Sequence, residues 1–295
     1  MVTNQKMLQQ MLNPFVSLNL AHFARTVMLK RSMAIISILL GIYVLICGLM
    51  FFFQEKLIFF PDKLEKDYKF NFTQKFEEIY ITTADQKQLH GLLFKADSPK
   101  GLIFYLHGNG GALDRWGDVA ETYTRLNYDI FVLDYRGYGK SEGAIESEAQ
   151  LFQDVQQAYN EMLKRYDEDQ IVVLGYSIGT GPATKIASTN HPKLLILQAP
   201  YFSLGDMVKH GYPFVPPFLL KYKLETNKYI TECKMPIVLI HGDVDEIIPH
   251  SQSVKLKALL KETDQLITLK GQGHNGMTFE QDYREALKQI IGNQQ

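Results

Sequence analysis

The stretch Gly175-Tyr176-Ser177-Ile178-Gly179 reads G-x-S-x-G directly behind the apolar run Ile171-Val172-Val173-Leu174. That run is short and rich in β-branched residues, as a buried parallel strand should be. Residues 180–188 are helix-compatible, with Gly181 and Pro182 in the first turn, where both are tolerated. Strand, sharp turn and helix are the context in which a strained turn lifts a serine above a sheet edge, and the glycines leave room for it. Taken alone, the pattern has only three fixed positions and equally describes a Gly-rich strand-to-helix loop.

A serine nucleophile needs a base, and the base needs an acid to orient it. Downstream, Met235-Pro236-Ile237-Val238-Leu239-Ile240 reads as another buried strand and ends in His241-Gly242-Asp243-Val244-Asp245-Glu246. Leu266-Ile267-Thr268-Leu269 is a further short strand, followed by Gly271-Gln272-Gly273-His274-Asn275. Nucleophile, acid and histidine therefore come in the order Ser, Asp, His, each just past the C-terminal end of a predicted strand. Open α/β sheets bind their ligands in the crevice outside those ends.

Two more motifs stand in the same series. Leu106-His107-Gly108-Asn109-Gly110-Gly111 follows one predicted strand, and Asp134-Tyr135-Arg136-Gly137-Tyr138-Gly139-Lys140-Ser141-Glu142-Gly143 follows the next. With them the chain resembles the α/β-hydrolase superfamily over residues 75–292. The resemblance implies a mostly parallel eight-stranded sheet with helices on both faces. It also implies Ser177 as nucleophile, His274 as general base and Asp245 as the acid, since similar proteins carry the acid at that place in an HGxxDxxxP segment. Asp243 is then a loop residue that caps a turn or faces solvent. The oxyanion hole implied is the backbone N–H of Ile178 with that of Asn109, whose side chain is replaceable on this reading. The apolar N-terminal segment followed by Gln54-Glu55-Lys56-Leu57-Ile58-Phe59-Phe60-Pro61 resembles one branch, the single-pass membrane-anchored hydrolases, whose relatives include depalmitoylases and lysophospholipid lipases.

Other residues tempt and are discounted. Of the eight histidines, His107 and His241 each precede glycine at a strand end and read as loop buttresses. His250 with Asp243, Asp245 and Glu246 imitates a metal site, but no second histidine stands at ligand spacing. Gly137-Tyr138-Gly139-Lys140-Ser141 imitates the tail of a phosphate-binding loop, yet Asp134 stands where its first glycine must be. Arg136 reads as a carboxylate fork tying down that loop. The two cysteines, Cys47 and Cys233, give no disulfide framework. No cofactor is implied. A net charge of −1 and a pI near 6.7 supply no field that would draw nucleic acid.

Residues 33–53 (MAIISILLGIYVLICGLMFFF) form an uncharged apolar stretch of 21 residues, and about 20 cross the hydrocarbon core as a helix. It exceeds a normal signal-peptide apolar region and no A-x-A-like cleavage site follows, so it reads as an uncleaved anchor. Arg25, Lys30 and Arg31 precede it and only Lys56 lies close behind, which points the N-terminus to the cytoplasm and the hydrolase to the other side. Residues 1–32 carry Met7, Leu8, Met11, Leu12, Phe15, Val16, Leu18, Leu20 and Phe23 at helix-like spacing. They fit a helix lying on the membrane surface, a mobile extension, or a start at Met28 or Met33.

The expected organisation is an extension (1–32), an anchor (33–53), a linker (54–74) and a hydrolase domain (75–295). Predicted strands cover 76–83, 88–95, 101–106, 129–133, 170–174, 193–198, 237–240 and 265–269. Predicted helices cover 116–126, 147–165, 179–189, 252–261 and 279–291. This alternation demands parallel pairing with right-handed crossovers. About 30 residues, 204–234, break it with Pro213, Pro216 and Pro217 among apolar side chains. They read as a short cap at the active end of the sheet, with an acyl chain as the neighbour. The function expected is ester or thioester hydrolysis of acyl or lipid-like substrates at a membrane, through an acyl-enzyme. The alternatives are amide cleavage on the same fold and a non-catalytic scaffold.

Overall fold

The computed structural model of the chain describes residues 3–292, and side chains from residue 18 onward except residue 21. The readings made on Met7, Leu8, Met11, Leu12, Phe15 and Val16 lie outside the described side chains. The chain divides into two compact units between Phe52 and Phe53. Helix α1, Thr3–Ile58, loses helical geometry at Phe53 (φ −113°, ψ 15°), the last residue of the uncharged stretch. Its segment Leu18–Ile58 is the one helix among the described residues long and apolar enough to cross a membrane.

The second unit is built on an eight-stranded sheet of order β1-β2-β4-β3-β5-β6-β7-β8. Its strands are β1 (Phe76–Thr82), β2 (Gln88–Phe94), β3 (Leu102–Leu106), β4 (Asp129–Asp134), β5 (Ile171–Tyr176), β6 (Leu194–Gln198), β7 (Ile237–Gly242) and β8 (Gln265–Leu269). Only β2 runs against its neighbours, β1 and β4; the other pairs are parallel. The central strands β3 to β6 are buried at every position. Their continuous apolar sequence follows from having cores on both faces. One core holds Phe104, Leu133, Val173 and Leu197, and the other holds Tyr105, Val132, Leu174 and Ile196.

The helices after β3 are α2 (Leu113–Trp116), α3 (Ala120–Thr124), α4 (Glu148–Leu163), α5 (Thr180–Thr189), α6 (Leu204–Gly211), α7 (Thr226–Tyr229), α8 (Ser251–Lys257) and α9 (Gln281–Gly292). The single helix expected over 116–126 is instead α2, a 3-10 turn at Gly117–Val119, and α3. Gly117 leaves room for the Phe72 ring, which a Cβ would meet at 2.3 Å. Helix α4 begins at a reciprocal cap: Ser147 Oγ accepts from Gln150 N (3.1 Å), and Gln150 Oε1 accepts from Glu146 N (2.8 Å).

Residues 204–234 contain more helix than the prolines suggest. Ser203 Oγ caps α6 by accepting from Asp206 N (3.0 Å), and a 3-10 turn, Pro217–Leu219, precedes α7. Tyr212, Phe214 and Phe218 are exposed, whereas Val215, Tyr222 and Leu224 are buried. Residues 54–74 also pack into this second unit. Phe59 joins one core, and Phe70 and Phe72 lie against the other.

Arg136 is buried and forks twice. Its Nε and Nη2 donate to Asp154 (2.7 and 2.8 Å), and its Nη1 and Nη2 donate to Asp85 (2.6 and 2.8 Å). The two carboxylates tie the β1–β2 hairpin and α4 to the loop after β4. Removing one partner of a buried ion pair leaves the other charge unpaired. Arg136→Ala is expected to cost about 3 kcal/mol. A thermal melt of the purified protein should show this as a fall in Tm of roughly 6–12 °C.

Candidate active site

Strand β5 ends at Tyr176 and the chain turns at once, with Ser177 in the left-handed region (φ 53°). A non-glycine residue there is strained and persists only where its surroundings enforce it. Gly175 and Gly179 provide the enforcement by close approach. A Cβ on Gly175 would meet Gly179 O at 2.6 Å and Ala183 Cβ at 2.7 Å, and one on Gly179 would meet Leu106 O at 2.2 Å and His107 O at 2.6 Å. The elbow thus packs against the end of β3, where the Asn109 turn begins. The 3-10 turn Ser177–Gly179 then leads into α5.

The structure brings Ser177, His274 and Asp245 together. Ser177 Oγ lies 3.0 Å from His274 Nε2, and His274 Nδ1 lies 2.7 Å from Asp245 Oδ2. An ionised carboxylate only accepts, so the His274 Nδ1–H donates to Asp245 and leaves Nε2 to accept the Ser177 hydroxyl proton. Burial pushes the Asp245 carboxyl up. Hydrogen bonds from His241, His274 and the Ile248 backbone outweigh burial and hold it well below the usual carboxylate range. Its Oδ1 accepts from Ile247 N (2.9 Å) and Ile248 N (2.7 Å). Asp243 is exposed and ties two loops, accepting from Gly271 N (2.7 Å).

The buttressing histidines take specific places. His241 Nε2 lies 2.8 Å from Ile248 O and 3.2 Å from Asp245 Oδ2, and its Nδ1 lies 2.6 Å from Ser253 Oγ. His241 therefore fixes the Asp245 loop from below. His107 Nδ1 lies 2.7 Å from Gly108 O, and its ring stacks on Trp116 at 5.4 Å. His107 Nε2 and His90 Nδ1 flank the buried Asp134 carboxylate at 3.6 and 4.0 Å. His250 Nε2 is 2.9 Å from Thr268 Oγ1.

Sequence reasoning missed two contributors. Tyr176, the variable residue before the nucleophile, donates its hydroxyl to His274 O, and its ring lies parallel to the His274 ring at 5.5 Å. It contacts the histidine from the end of β5, with β6 and β7 lying between that strand and β8 in the sheet. The second is the side chain of Asn109, read above as replaceable. Its Nδ2 donates to Ile58 O, and its Oδ1 accepts from Phe60 N, Gly110 N and Tyr138 OH, each at 3.0 Å. These bonds brace the turn against residues 58–60, and bridges Pro61↔Gly111 and Lys63↔Gly139 continue the brace. No sequence motif announces it, because its partners are mainly backbone atoms far along the chain.

A separate cleft of about 270 Å³, lined by Asp118, Thr122, Arg125, Phe279 and Arg284 among others, includes none of Ser177, Asp245 or His274. The chemistry therefore points to the elbow crevice rather than to that cleft.

Sheet order and the placing of elbow, acid and histidine at strand ends define the α/β-hydrolase fold, and comparison with known proteins agrees with that fold. The family described as "Serine aminopeptidase, S33" matches residues 97–230. Protein bem46 of Schizosaccharomyces pombe is 29% identical over 238 residues, covering 75% of this chain and 79% of that protein. Alpha/beta hydrolase domain-containing protein 17C of Xenopus laevis is 28% identical over 223 residues, covering 74% and 70%. Among solved structures, the Pyrococcus furiosus esterase Pf2001 superposes with a TM-score of 0.65 at 18% identity, covering 80% of this chain and 97% of that one. Est1E of Butyrivibrio proteoclasticus, solved with ferulic acid bound, gives 0.60 at 21% identity, covering 73% and 98%. The likeness to these structures is one of fold.

Two expectations follow. Asp245→Asn should lower kcat by about 10⁴-fold by mispositioning His274, while Asp243→Asn stays within about threefold of wild type; a reversed order in steady-state kinetics reassigns the acid. Asn109→Ala should lower kcat by roughly ten- to a hundredfold with KM little changed, as loosening of one oxyanion donor predicts. Wild-type kcat in Asn109→Ala shows that the brace does not serve the oxyanion turn.

Proposed function

We propose that this chain is a membrane-anchored serine hydrolase that cleaves carboxylic esters or thioesters of acyl or lipid-like substrates. The observation that carries the reading is the relay Ser177–His274–Asp245, with 3.0 and 2.7 Å links, on a left-handed nucleophile at a strand end. In the proposed reaction His274 Nε2 takes the Ser177 proton as Oγ attacks the acyl carbon. The N–H groups of Ile178 and Asn109 receive the oxyanion. Collapse breaks the acyl–leaving-group bond as His274 returns the proton to the leaving alkoxide or thiolate. Water, deprotonated by the same nitrogen, then releases the acid from Ser177.

Anchoring by residues 33–53 is part of the same proposal. Ile36, Leu39, Leu40, Val44 and Leu45 are exposed apolar side chains on α1, which suits a helix surrounded by lipid rather than a buried core helix. Residues 1–32 then precede the anchor and the hydrolase domain follows it. The positive charges at 25, 30 and 31 support placing that domain on the non-cytoplasmic side. The branch resemblance, with its depalmitoylases and lysophospholipid lipases, supports an acyl substrate. Amide cleavage is the second reading, favoured by the aminopeptidase description of the matching family.

Labelling of detergent-solubilised protein with a serine-directed phosphonate should be complete for wild type and absent for Ser177→Ala. No labelling of folded wild type would overturn the reading. An ester series from acetyl to long acyl, run beside aminoacyl anilides, should favour medium and long acyl groups. A flat acyl profile with fast anilide cleavage would move amide hydrolysis to the front.

A further inference from the structure

Resting on the serine hydrolase reading above, we propose that Thr180 and His107 are positioning residues for the oxyanion hole. Each holds one of the two N–H donors through the carbonyl oxygen of the same peptide unit.

The N–H of a residue and the C=O of the residue before it share one rigid plane and, in the trans form, point in opposite directions. The Ile178 N–H is thus aimed by whatever holds Ser177 O, and the Asn109 N–H by whatever holds Gly108 O. Both oxygens are held by a side chain. Thr180 Oγ1 donates to Ser177 O (2.7 Å), which also accepts the Thr180 backbone N–H. His107 Nδ1 lies 2.7 Å from Gly108 O. A carbonyl only accepts, so it is the Nδ1–H that donates.

Burial sorts the two ends of each plane. Thr180 and His107 are fully buried, whereas Ile178 and Asn109 are half-buried. The carbonyls are thus turned to the interior, and the N–H ends away from it. The two planes are also brought together, because Gly179 lies against Leu106 O and His107 O, where a Cβ would come to 2.2 and 2.6 Å. The His107 ring has little freedom. Trp116 stacks on it at 5.4 Å, the Tyr135 ring lies at 4.5 Å, and Nε2 faces the buried Asp134 Oδ1 at 3.6 Å. Tyr135 OH donates to His107 O (2.9 Å), so the preceding carbonyl of the turn is fixed as well.

A hydrogen bond to the C=O also polarises the N–H at the other end of the unit, since bonds in a chain strengthen one another. The two side chains therefore act on direction and on donor strength together, as charge developing on a tetrahedral intermediate's oxygen requires. Fully buried, neither offers the substrate a surface. A bond one turn further along α5 has the same chemistry without the same consequence. Thr184 Oγ1 donates to Thr180 O (2.7 Å) from an equally buried site, but the N–H of that plane belongs to Gly181.

Serine-directed phosphonate labelling of the full chain in detergent comes first: a folded wild type that is not labelled overturns the serine hydrolase reading and this proposal with it. With a labelled wild type, kcat and KM are measured on p-nitrophenyl octanoate. Ki for heptyl trifluoromethyl ketone, which needs no turnover, is measured as protection from labelling. In that adduct Ser177 Oγ bonds to the ketone carbon, His274 Nε2 takes the Ser177 proton, and the carbonyl oxygen becomes the oxyanion. Thr180→Val should lower kcat by roughly tenfold with KM within about threefold, and Ki should rise by roughly tenfold. Thr180→Ser, which keeps the hydroxyl, should bring both back to within about threefold of wild type. Thr184→Val should cost as much thermal stability as Thr180→Val, roughly 2–4 °C in Tm, yet leave kcat and Ki within about threefold. Wild-type kcat and Ki in Thr180→Val overturn the proposal, and so do equal losses in Thr180→Val and Thr184→Val. A second pair decides the matter if Thr180→Val does not fold. His107→Asn can place an amide nitrogen where Nδ1 stands, while His107→Gln keeps a polar group toward Asp134 and loses its reach to Gly108 O. Ki should be several-fold lower for His107→Asn than for His107→Gln; equal values overturn the proposal and leave Ser177 standing as the labelled nucleophile.

Discussion

The left-handed backbone of Ser177 is the constraint on which the rest of the site depends. A side chain at φ 53° is tolerated only because Gly175 and Gly179 have no Cβ. The resulting contact, with Gly179 against Leu106 O and His107 O, places the start of α5 on the end of β3. The Ser177 elbow and the Asn109 turn are thereby set by one contact. In the proposed reaction such preorganised donors stabilise developing charge without reorganising at the moment of reaction.

Around this point each loop at the carboxyl ends of the strands is held by its own polar brace. Asp245 is buried yet stays charged, because two backbone N–H groups and two imidazoles face its oxygens. Buried charges persist only when they are supplied with such partners. Tyr176 links the elbow strand to the histidine loop. Arg136 links the loop after β4 to α4 and to the first hairpin. The loops are irregular, but these polar bonds cross between strand ends and hold side chains from three of them within hydrogen-bond range.

Residues 54–64 extend this bracing toward the apolar helix. Asn109 takes up the backbone of Ile58 and Phe60, Asp62 pairs with Arg115 at 2.8 Å, and Gln54 takes up the backbone of Leu219 and Lys221. This short segment therefore braces the Asn109 turn at one point and residues 219–221 at another.

Much of this was legible in the sequence, because it is written in local pattern. The parallel strands are short apolar runs and the β1–β2 pair flanks a hairpin-like turn, so all eight were recognised to within a few residues, and β8 at its observed limits. Glycine spacing marks the elbow, and the places of Ser177, His274 and an acid after β7 follow from strand ends in chain order, while the choice of Asp245 over Asp243 came from the resemblance. An uncharged stretch of 21 residues marks the candidate span by length alone. What only the tertiary structure decided are contacts between residues distant in the chain and without a shared motif. Residues 54–74 read as a linker because their composition is mixed, yet Phe59, Phe70 and Phe72 pack on the cores. Asn109 read as a backbone donor only, because its side-chain partners are mostly carbonyl and amide groups whose identity no residue type reveals. The exposed rings of the cap look like core in one dimension. Periodicity shows that side chains share a face, but only packing shows whether protein covers that face.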